Sequence, residues 1–256
     1  MTENRNALGN EESFISHLIE LRSRLLKAAS AVVIVFLCLM PWAGRIYDVL
    51  AYPMIHALPM GSKMIATGVI TPFLIPVKVT LLVAFMITLP WVLYQLWAFV
   101  APGLYAHEKR LIAPLVISSS VLFLAGVAFC YFMVFGVIFR FINNFAPHSI
   151  SVAPDIDSYF SFVMTMFVAF GLTFEVPVVV VVLVRMGLVS LEKLRQIRRY
   201  VIVGAFVLAA VVTPPDAMSM MLLALPLCLL YEIGLLVAPV FVKATQAPAE
   251  SESGPA

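Results

Sequence analysis

The chain has 256 residues, of which 62% are apolar and 12% are charged, and its mean hydropathy is +1.04. A water-soluble fold could not bury that much apolar surface, so the soluble globular class is excluded. The formal net charge of +2 is too small to favour nucleic acid as a partner. Cys38, Cys130 and Cys228 each lie in a long apolar run, which argues against a disulfide framework or a zinc site.

Four apolar runs are long enough to cross a bilayer core of about 30 Å as helices. They cover residues 25–43, 72–99, 111–139 and 159–184. The third run is long enough to tilt or to project from the membrane. Helices are expected because every backbone polar group inside lipid must find its partner within its own segment.

Two weaker runs, residues 200–212 and 218–240, follow the fourth span. The first of them would reach only about 20 Å as a helix, so either the membrane is thinner there or the two helices form a re-entrant hairpin. The sequence therefore predicts an all-α membrane protein with six transmembrane helices, the last two of them short.

The basic residues predict the orientation. Arg45, Lys63 and Arg140 lie on one side of the predicted membrane. The opposite side carries twelve of the 16 basic residues: Arg5, Arg22, Arg24, Lys27, Lys109, Arg110, Arg185, Lys193, Arg195, Arg198, Arg199 and Lys243. By the positive-inside rule both termini are cytoplasmic, which agrees with an even number of spans.

The domain organisation follows from these spans. Residues 1–24 are predicted to be a cytoplasmic N-terminal segment with an amphipathic entry helix that leads into the membrane. Residues 25–242 are predicted to be the six-helix transmembrane domain and 243–256 a disordered tail. Residues 45–71 and 141–158 are predicted to be long external loops punctuated by proline.

Two clusters of charge lie on the predicted cytoplasmic side. In the amphipathic segment from Ser13 to Lys27, Glu20 can pair with Arg24 one helical turn later. In the loop 102–110, Glu108 lies among basic residues, and simple neutralisation of surface charge would also explain it.

Glu175 lies in the middle of the fourth span, where a carboxylate costs about 2.5–3.5 kcal/mol to insert. Such a residue is expected to face a bundle interior or a wet cavity, and Pro177 nearby predicts a kink. Glu232 and Lys78 lie nearer the interfaces, and the sequence does not assign them a role.

Two turns show helix-capping chemistry. Ser190 is a predicted N-cap for a short helix from residue 191 to about residue 200, and Asp216 is one for the last span. Thr213, Pro214 and Pro215 complete the tight turn before Asp216.

Catalytic motifs are missing from the sequence. All four histidines lie outside the apolar runs, and no metalloprotease, phosphate-loop or nucleophile-elbow pattern occurs. We therefore expect no enzyme activity, no cofactor and no metal. A proton-coupled secondary transporter of a small solute is the main alternative, because an intramembrane acid near proline also suits such carriers.

Four segments resemble, in order, the motifs of the TatC family, the multi-spanning subunit of the twin-arginine protein translocase. They are residues 17–25, residues 97–105 followed by His107 and Glu108, residues 161–177, and residues 203–216. The resemblance covers the chain from about Ser13 to Val242.

The resemblance implies a glove-shaped, six-helix protein of the bacterial inner membrane that binds twin-arginine signal peptides. It also implies export of folded proteins driven by the proton-motive force. By position, Glu20 and Glu108 match the acidic contacts of the signal peptide, with Arg22 and Phe99 in the same region. Two fixed carboxylates suit paired guanidinium groups, and lysine would not replace arginine equally.

The resemblance further implies contacts with single-span subunits of the TatA/TatB kind and a homo-oligomer within the complex. Glu175, Thr213 and Asp216 match positions on the surface where those partner helices approach. Met220 and Gly68 depart from the family pattern, since some relatives carry a polar residue and an acid there, respectively. The first departure leaves Thr213 as the main hydroxyl near the hairpin.

Overall fold

A computed structural model of the protein describes residues 3–57, 64–100, 112–145, 154–213 and 216–246. The described residues are almost entirely helical. The α-helices are α1 (Glu3–Leu39), α2 (Ala43–Ala57), α3 (Thr71–Val100), α4 (Ile112–Phe129), α5 (Phe135–Phe145), α6 (Ile156–Arg185), α7 (Leu191–Gln196), α8 (Arg198–Val212) and α9 (Ala217–Gln246). A 3₁₀ turn, Met40–Trp42, joins α1 to α2, and a π-helical turn, Cys130–Val134, joins α4 to α5.

Five helical segments are long and apolar enough to cross a membrane, which confirms the helical membrane fold. They are His17–Pro53, Thr71–Val100, Ile112–Phe141, Ile156–Arg185 and Ala217–Val240. The first, second, fourth and fifth include the runs predicted at 25–43, 72–99, 159–184 and 218–240, and the third covers the predicted run 111–139 from residue 112 onward. The glove-like outline and the side of the membrane for each terminus stay predictions.

The predicted entry helix and first span lie on one helix, and the segment after them differs from the prediction. The N-terminal segment and the first span form one continuous helix, α1, with no break at residue 24. The predicted external loop beginning at residue 45 is wrong in its first part, because α2 extends to Ala57 with Pro53 inside it. Ala51 is buried and Ile46 and Leu50 are half-buried on one face, so packing stabilises a helix that the proline alone would disfavour.

The C-terminal helices also differ from their predicted lengths. The amide of Lys193 donates to the Ser190 hydroxyl at 3.2 Å, which confirms the N-cap. The helix that follows ends at Gln196 rather than near residue 200, and α8 begins at Arg198. The 15 residues of α8 span about 22 Å, as short as expected, whereas α9 has 30 residues and is longer than expected. The apolar run of α9 contains no glycine stop signal near Val240, so the helix continues into the predicted tail. The rest of that tail, residues 247–256, lies outside the described residues.

The chain divides into two compact units. One comprises Met1–Tyr47 and Pro76–Ser120, and the other comprises Asp48–Ile75 and Val121–Ala256. In the second unit, α6, α7 and α9 share an apolar core built from Val180, Leu194, Tyr231, Leu235 and Ala238.

Close helix contacts in the second unit depend on glycine. A Cβ at Gly171 of α6 would overlap the ring of Phe123 in α4. A Cβ at Gly234 of α9 would approach the Cα of Pro177 in α6 to 3.0 Å. The missing side chains therefore let α4 and α9 approach α6 closely, as small residues do at helix interfaces in membranes.

Asp155 joins two predicted external segments of the second unit. Ile65 forms an isolated parallel bridge with Asp155. One carboxylate oxygen accepts from the Thr67 hydroxyl at 2.8 Å, and the other accepts from the Ser158 amide at 3.0 Å. The Ser158 amide and the Thr67 hydroxyl lower the pKa of the Asp155 carboxyl to about 2, because both bonds favour its charged form. Asp155 is thus both the N-cap of α6 and a link to the segment before α3.

Candidate functional site

The first unit contains a seam between α1 and α3. Three side-chain contacts form it: His17 with Phe99, Arg24 with Gln95, and Trp91 with the carbonyl of Lys27. Increasing residue numbers on α1 meet decreasing numbers on α3, so the two helices run antiparallel along the seam. The α1 members lie seven and three residues apart and the α3 members four apart, which places each set on one helix face.

The Glu20 carboxylate lies on α1 beside this seam. Arg24 Nε and Nη2 lie 2.8 Å and 2.7 Å from Glu20 Oε1, which confirms the predicted ion pair. The Glu20 side chain remains 38% exposed and that of Arg24 24% exposed. Ile19, Glu20, Ser23, Arg24 and Lys27 line a shallow open groove. An exposed carboxylate in such a groove can accept a guanidinium from solution.

The other residues of the predicted signal-peptide site are Arg22, Phe99 and Glu108, and the structure describes the first two of them. Arg22 is exposed on α1, and Phe99 is half-buried on α3. The Phe99 ring stacks on the His17 imidazole with ring centroids 4.3 Å apart. Glu108 lies outside the described residues, so its position relative to Glu20 stays a prediction.

Sequence reasoning missed Gln95. This glutamine lies one helical turn before Phe99 and is only 5% exposed. Its Oε1 lies 3.5 Å from Arg24 Nη1, so a residue of α3 extends the Glu20–Arg24 pair across the seam. An amide within an apolar run was the available signal, because a buried polar side chain needs a hydrogen-bond partner.

Glu175 is 8% exposed on α6, and its predicted burial is confirmed. The preceding residue, Phe174, lies against α4 at Gly126, where a Cβ would meet the Phe170 carbonyl and the Phe174 ring. The Glu175 side chain is thus buried within the second unit, and its contact with a partner helix stays a prediction.

Thr213 and Asp216 lie at the turn between α8 and α9. The buried Thr213 hydroxyl donates to the Ala209 carbonyl at 2.8 Å. Asp216 Oδ1 accepts from the Ser219 amide at 2.7 Å, which confirms the predicted N-cap of α9. Both side chains thus make local bonds that stabilise the turn, and their contact with a partner helix stays a prediction.

Glu232, to which the sequence assigned no role, pairs with Arg198. The Arg198 Nε lies 2.7 Å from Glu232 Oε1, and both side chains are substantially exposed. The neighbouring Tyr231 hydroxyl donates to the carbonyl of Leu194 at 2.8 Å. Two consecutive residues of α9 therefore hold α7 and the start of α8.

Metal ligands do not converge in the described part of the chain: no group of three or more His, Cys, Asp or Glu side chains there is placed to hold a metal ion.

The sequence and the fold are both similar to known proteins. The family profile for "Sec-independent protein translocase protein (TatC)" matches residues 16–226. The TatC protein of Escherichia coli K12 is 51% identical over 231 residues, which is 90% of either chain. The TatC protein of Halothiobacillus neapolitanus is 51% identical over 236 residues, which is 92% of this chain but only 64% of that relative.

Solved structures agree with the sequence matches. A crystal structure of the twin-arginine translocase receptor TatC superposes with a TM-score of 0.78 at 37% identity, covering 88% of this chain and 98% of the other. A second crystal structure of that receptor, in the detergent DDM, gives a TM-score of 0.77 at 36% identity and covers 87% of this chain.

Proposed function

Because the chain belongs to the TatC family of Sec-independent protein translocase proteins, we propose that it is the translocase's receptor subunit for twin-arginine signal peptides. The Glu20 carboxylate, partly exposed in a groove on α1, is the observation that carries the proposal. A carboxylate in this setting accepts two parallel N–H bonds from a guanidinium, whereas a lysine ammonium binds it only as a point charge.

The rest of the signal-peptide site is assigned by family position. Glu108 supplies the second carboxylate, and Arg22 and Phe99 complete the binding region. Phe99 belongs to the α1–α3 seam because its ring stacks on His17 of α1. His17 lies three residues before Glu20, on the same face of α1. The seam therefore places Phe99 beside the face that carries Glu20 and Arg24. Residues of two helices thereby contribute to one binding region.

The membrane arrangement is part of the proposal. We assign α8 as a sixth, short span that is added to the five long helical segments, with both termini in the cytoplasm of a bacterial cell and the body in its inner membrane. The distribution of basic residues supports this orientation. The short length of α8, about 22 Å, requires a locally thinner bilayer.

The partners follow from the same family assignment. Single-span subunits of the TatA/TatB kind associate with the region of Glu175, Thr213 and Asp216, and several copies of the chain assemble within the complex. Folded proteins then cross the membrane with energy from the proton-motive force, and this subunit acts without catalytic chemistry or a cofactor.

Site-specific crosslinking to a signal peptide that bears two consecutive arginines tests the receptor assignment. We expect Glu20→Gln and Glu108→Gln each to weaken crosslinking while the protein stays inserted in the membrane. Glu192→Gln, which neutralises an exposed acid in the first turn of α7, is the matched control and should have no effect. Unchanged crosslinking in both site variants would refute the receptor assignment.

A further inference from the structure

Arg24 lies between the Glu20 carboxylate and the Gln95 amide. Its Nε and Nη2 bind Glu20 Oε1 at 2.8 Å and 2.7 Å, and its Nη1 lies 3.5 Å from Gln95 Oε1. Gln95 is buried on α3, so packing fixes the position of its amide oxygen. The guanidinium is therefore held from two helices at once.

Arg24 presents to Glu20 the same chemical group that a twin-arginine peptide would bring. Both contacts of Arg24 with Glu20 use the single oxygen Oε1, whereas a bidentate guanidinium needs both carboxylate oxygens. An incoming arginine that binds Glu20 in this bidentate way has to displace Arg24 from Oε1. Arg22 does not compete in this way, because two residues along a helix is a rotation of about 200°.

We propose that Arg24 is an internal competitor that occupies Glu20 in the resting protein, and that Gln95 is a positioning residue that holds it there. The inference rests on the proposed receptor function and adds the regulation of that site. The competitor lowers the affinity for the peptide and favours its release, because Arg24 can return to Glu20 as the peptide leaves. A receptor that must pass its cargo onward benefits from such an exchangeable contact.

The expected effect is small but measurable. A Glu–Arg pair four residues apart on a helix is weak, so its removal should tighten binding of the peptide about twofold. The measurement is the Kd of the full-length protein in nanodiscs for a labelled peptide that carries two consecutive arginines. Arg24→Gln should lower this Kd about twofold.

Three further variants separate competition from general electrostatics. Gln95→Leu leaves the net charge unchanged but removes the second contact of Arg24, so it should also tighten binding, by less than Arg24→Gln. Arg24→Lys keeps the charge and loses the contact with Gln95, and should give an intermediate Kd. Arg45→Gln removes a positive charge from an exposed position on α2 and should leave the Kd unchanged.

Binding measurements on Glu20→Gln proteins distinguish failure of the receptor function from failure of the competitor. If neither Glu20→Gln nor Glu108→Gln weakens binding, the receptor function itself is refuted. If only Glu108→Gln weakens binding, the receptor stands and the competitor is refuted, because Glu20 is then not a contact of the peptide. If Glu20→Gln weakens binding but Arg24→Gln weakens it too or leaves it unchanged, the competitor is refuted and the receptor stands. Arg24→Gln should have no effect in the Glu20→Gln protein, and tightening that persists there would show charge repulsion and overturn the competitor.

Discussion

Tyr231→Phe tests whether α9 holds α7 through one buried hydrogen bond. The Tyr231 hydroxyl donates to the Leu194 carbonyl at 2.8 Å, and the two residues are 5% and 4% exposed. Leu194 lies in the last turn of α7, where carbonyl groups lack partners within the helix. Removal of the hydroxyl leaves that carbonyl buried without its donor.

The cost follows from the burial. A buried carbonyl that loses its hydrogen bond destabilises a protein by about 1–3 kcal/mol. For a chain of this size, each kcal/mol lowers Tm by about 2–4 °C, so Tyr231→Phe should lower Tm by about 2–12 °C. The assay is thermal unfolding of the detergent-solubilised protein at a fixed heating rate, because membrane proteins often unfold irreversibly.

Two comparisons make the reasoning refutable. Tyr200→Phe removes a hydroxyl from an exposed side chain and should change stability by less than about 0.5 kcal/mol. Glu232→Gln breaks a shorter contact, 2.7 Å, but between exposed side chains, so it should cost only about 0.2–1 kcal/mol. If Glu232→Gln or Tyr200→Phe lowers Tm as much as Tyr231→Phe, burial does not control the strength of these contacts.

Two predictions concern other regions. The low pKa of Asp155, about 2, means that its contribution to stability is present above the ordinary pKa near 4 and is lost as the pH falls through 2. Asp155→Asn should abolish this loss in proteolysis measured from pH 5 to pH 2, and the exposed control Asp48→Asn should retain it. Glu175→Ala should lower export and the amount of a single-span partner that co-purifies, and equal values for both would return Glu175 to a purely structural role.

Local patterns predicted much of the fold. Apolar run lengths located the second, third and fourth spans, and capping chemistry identified Ser190 and Asp216. The prediction failed at α2, where Pro53 suggested a loop but packing of the face around Ala51 supports a helix. The Tyr131 and Tyr159 hydroxyls, distant in the chain, donate to the carbonyls of Val49 and Leu50, and a local pattern does not contain such contacts.

In the candidate site too, the sequence predicted the contact within one helix but not the contacts between helices. The Glu20–Arg24 pair is four residues apart on one helix, so the sequence predicted it directly. Gln95 lies 71 residues from Arg24, and only the antiparallel seam of α1 and α3 brings them together. The pairing of Glu232 with Arg198 likewise depends on how α9 lies against α8, and so its role could not be assigned in advance.

The close approach of Gly234 to Pro177 means that α6 completes its packing only after α9 has been synthesised. Gly234 follows Pro177 by more than fifty residues, so at about 5–20 residues per second the ribosome supplies it about 3–12 s later. During that interval the newly inserted α6 lacks its packing partner α9 at Pro177 and Val180. Slowing elongation before residue 217 should therefore lengthen the time in which quality-control proteases attack the nascent protein.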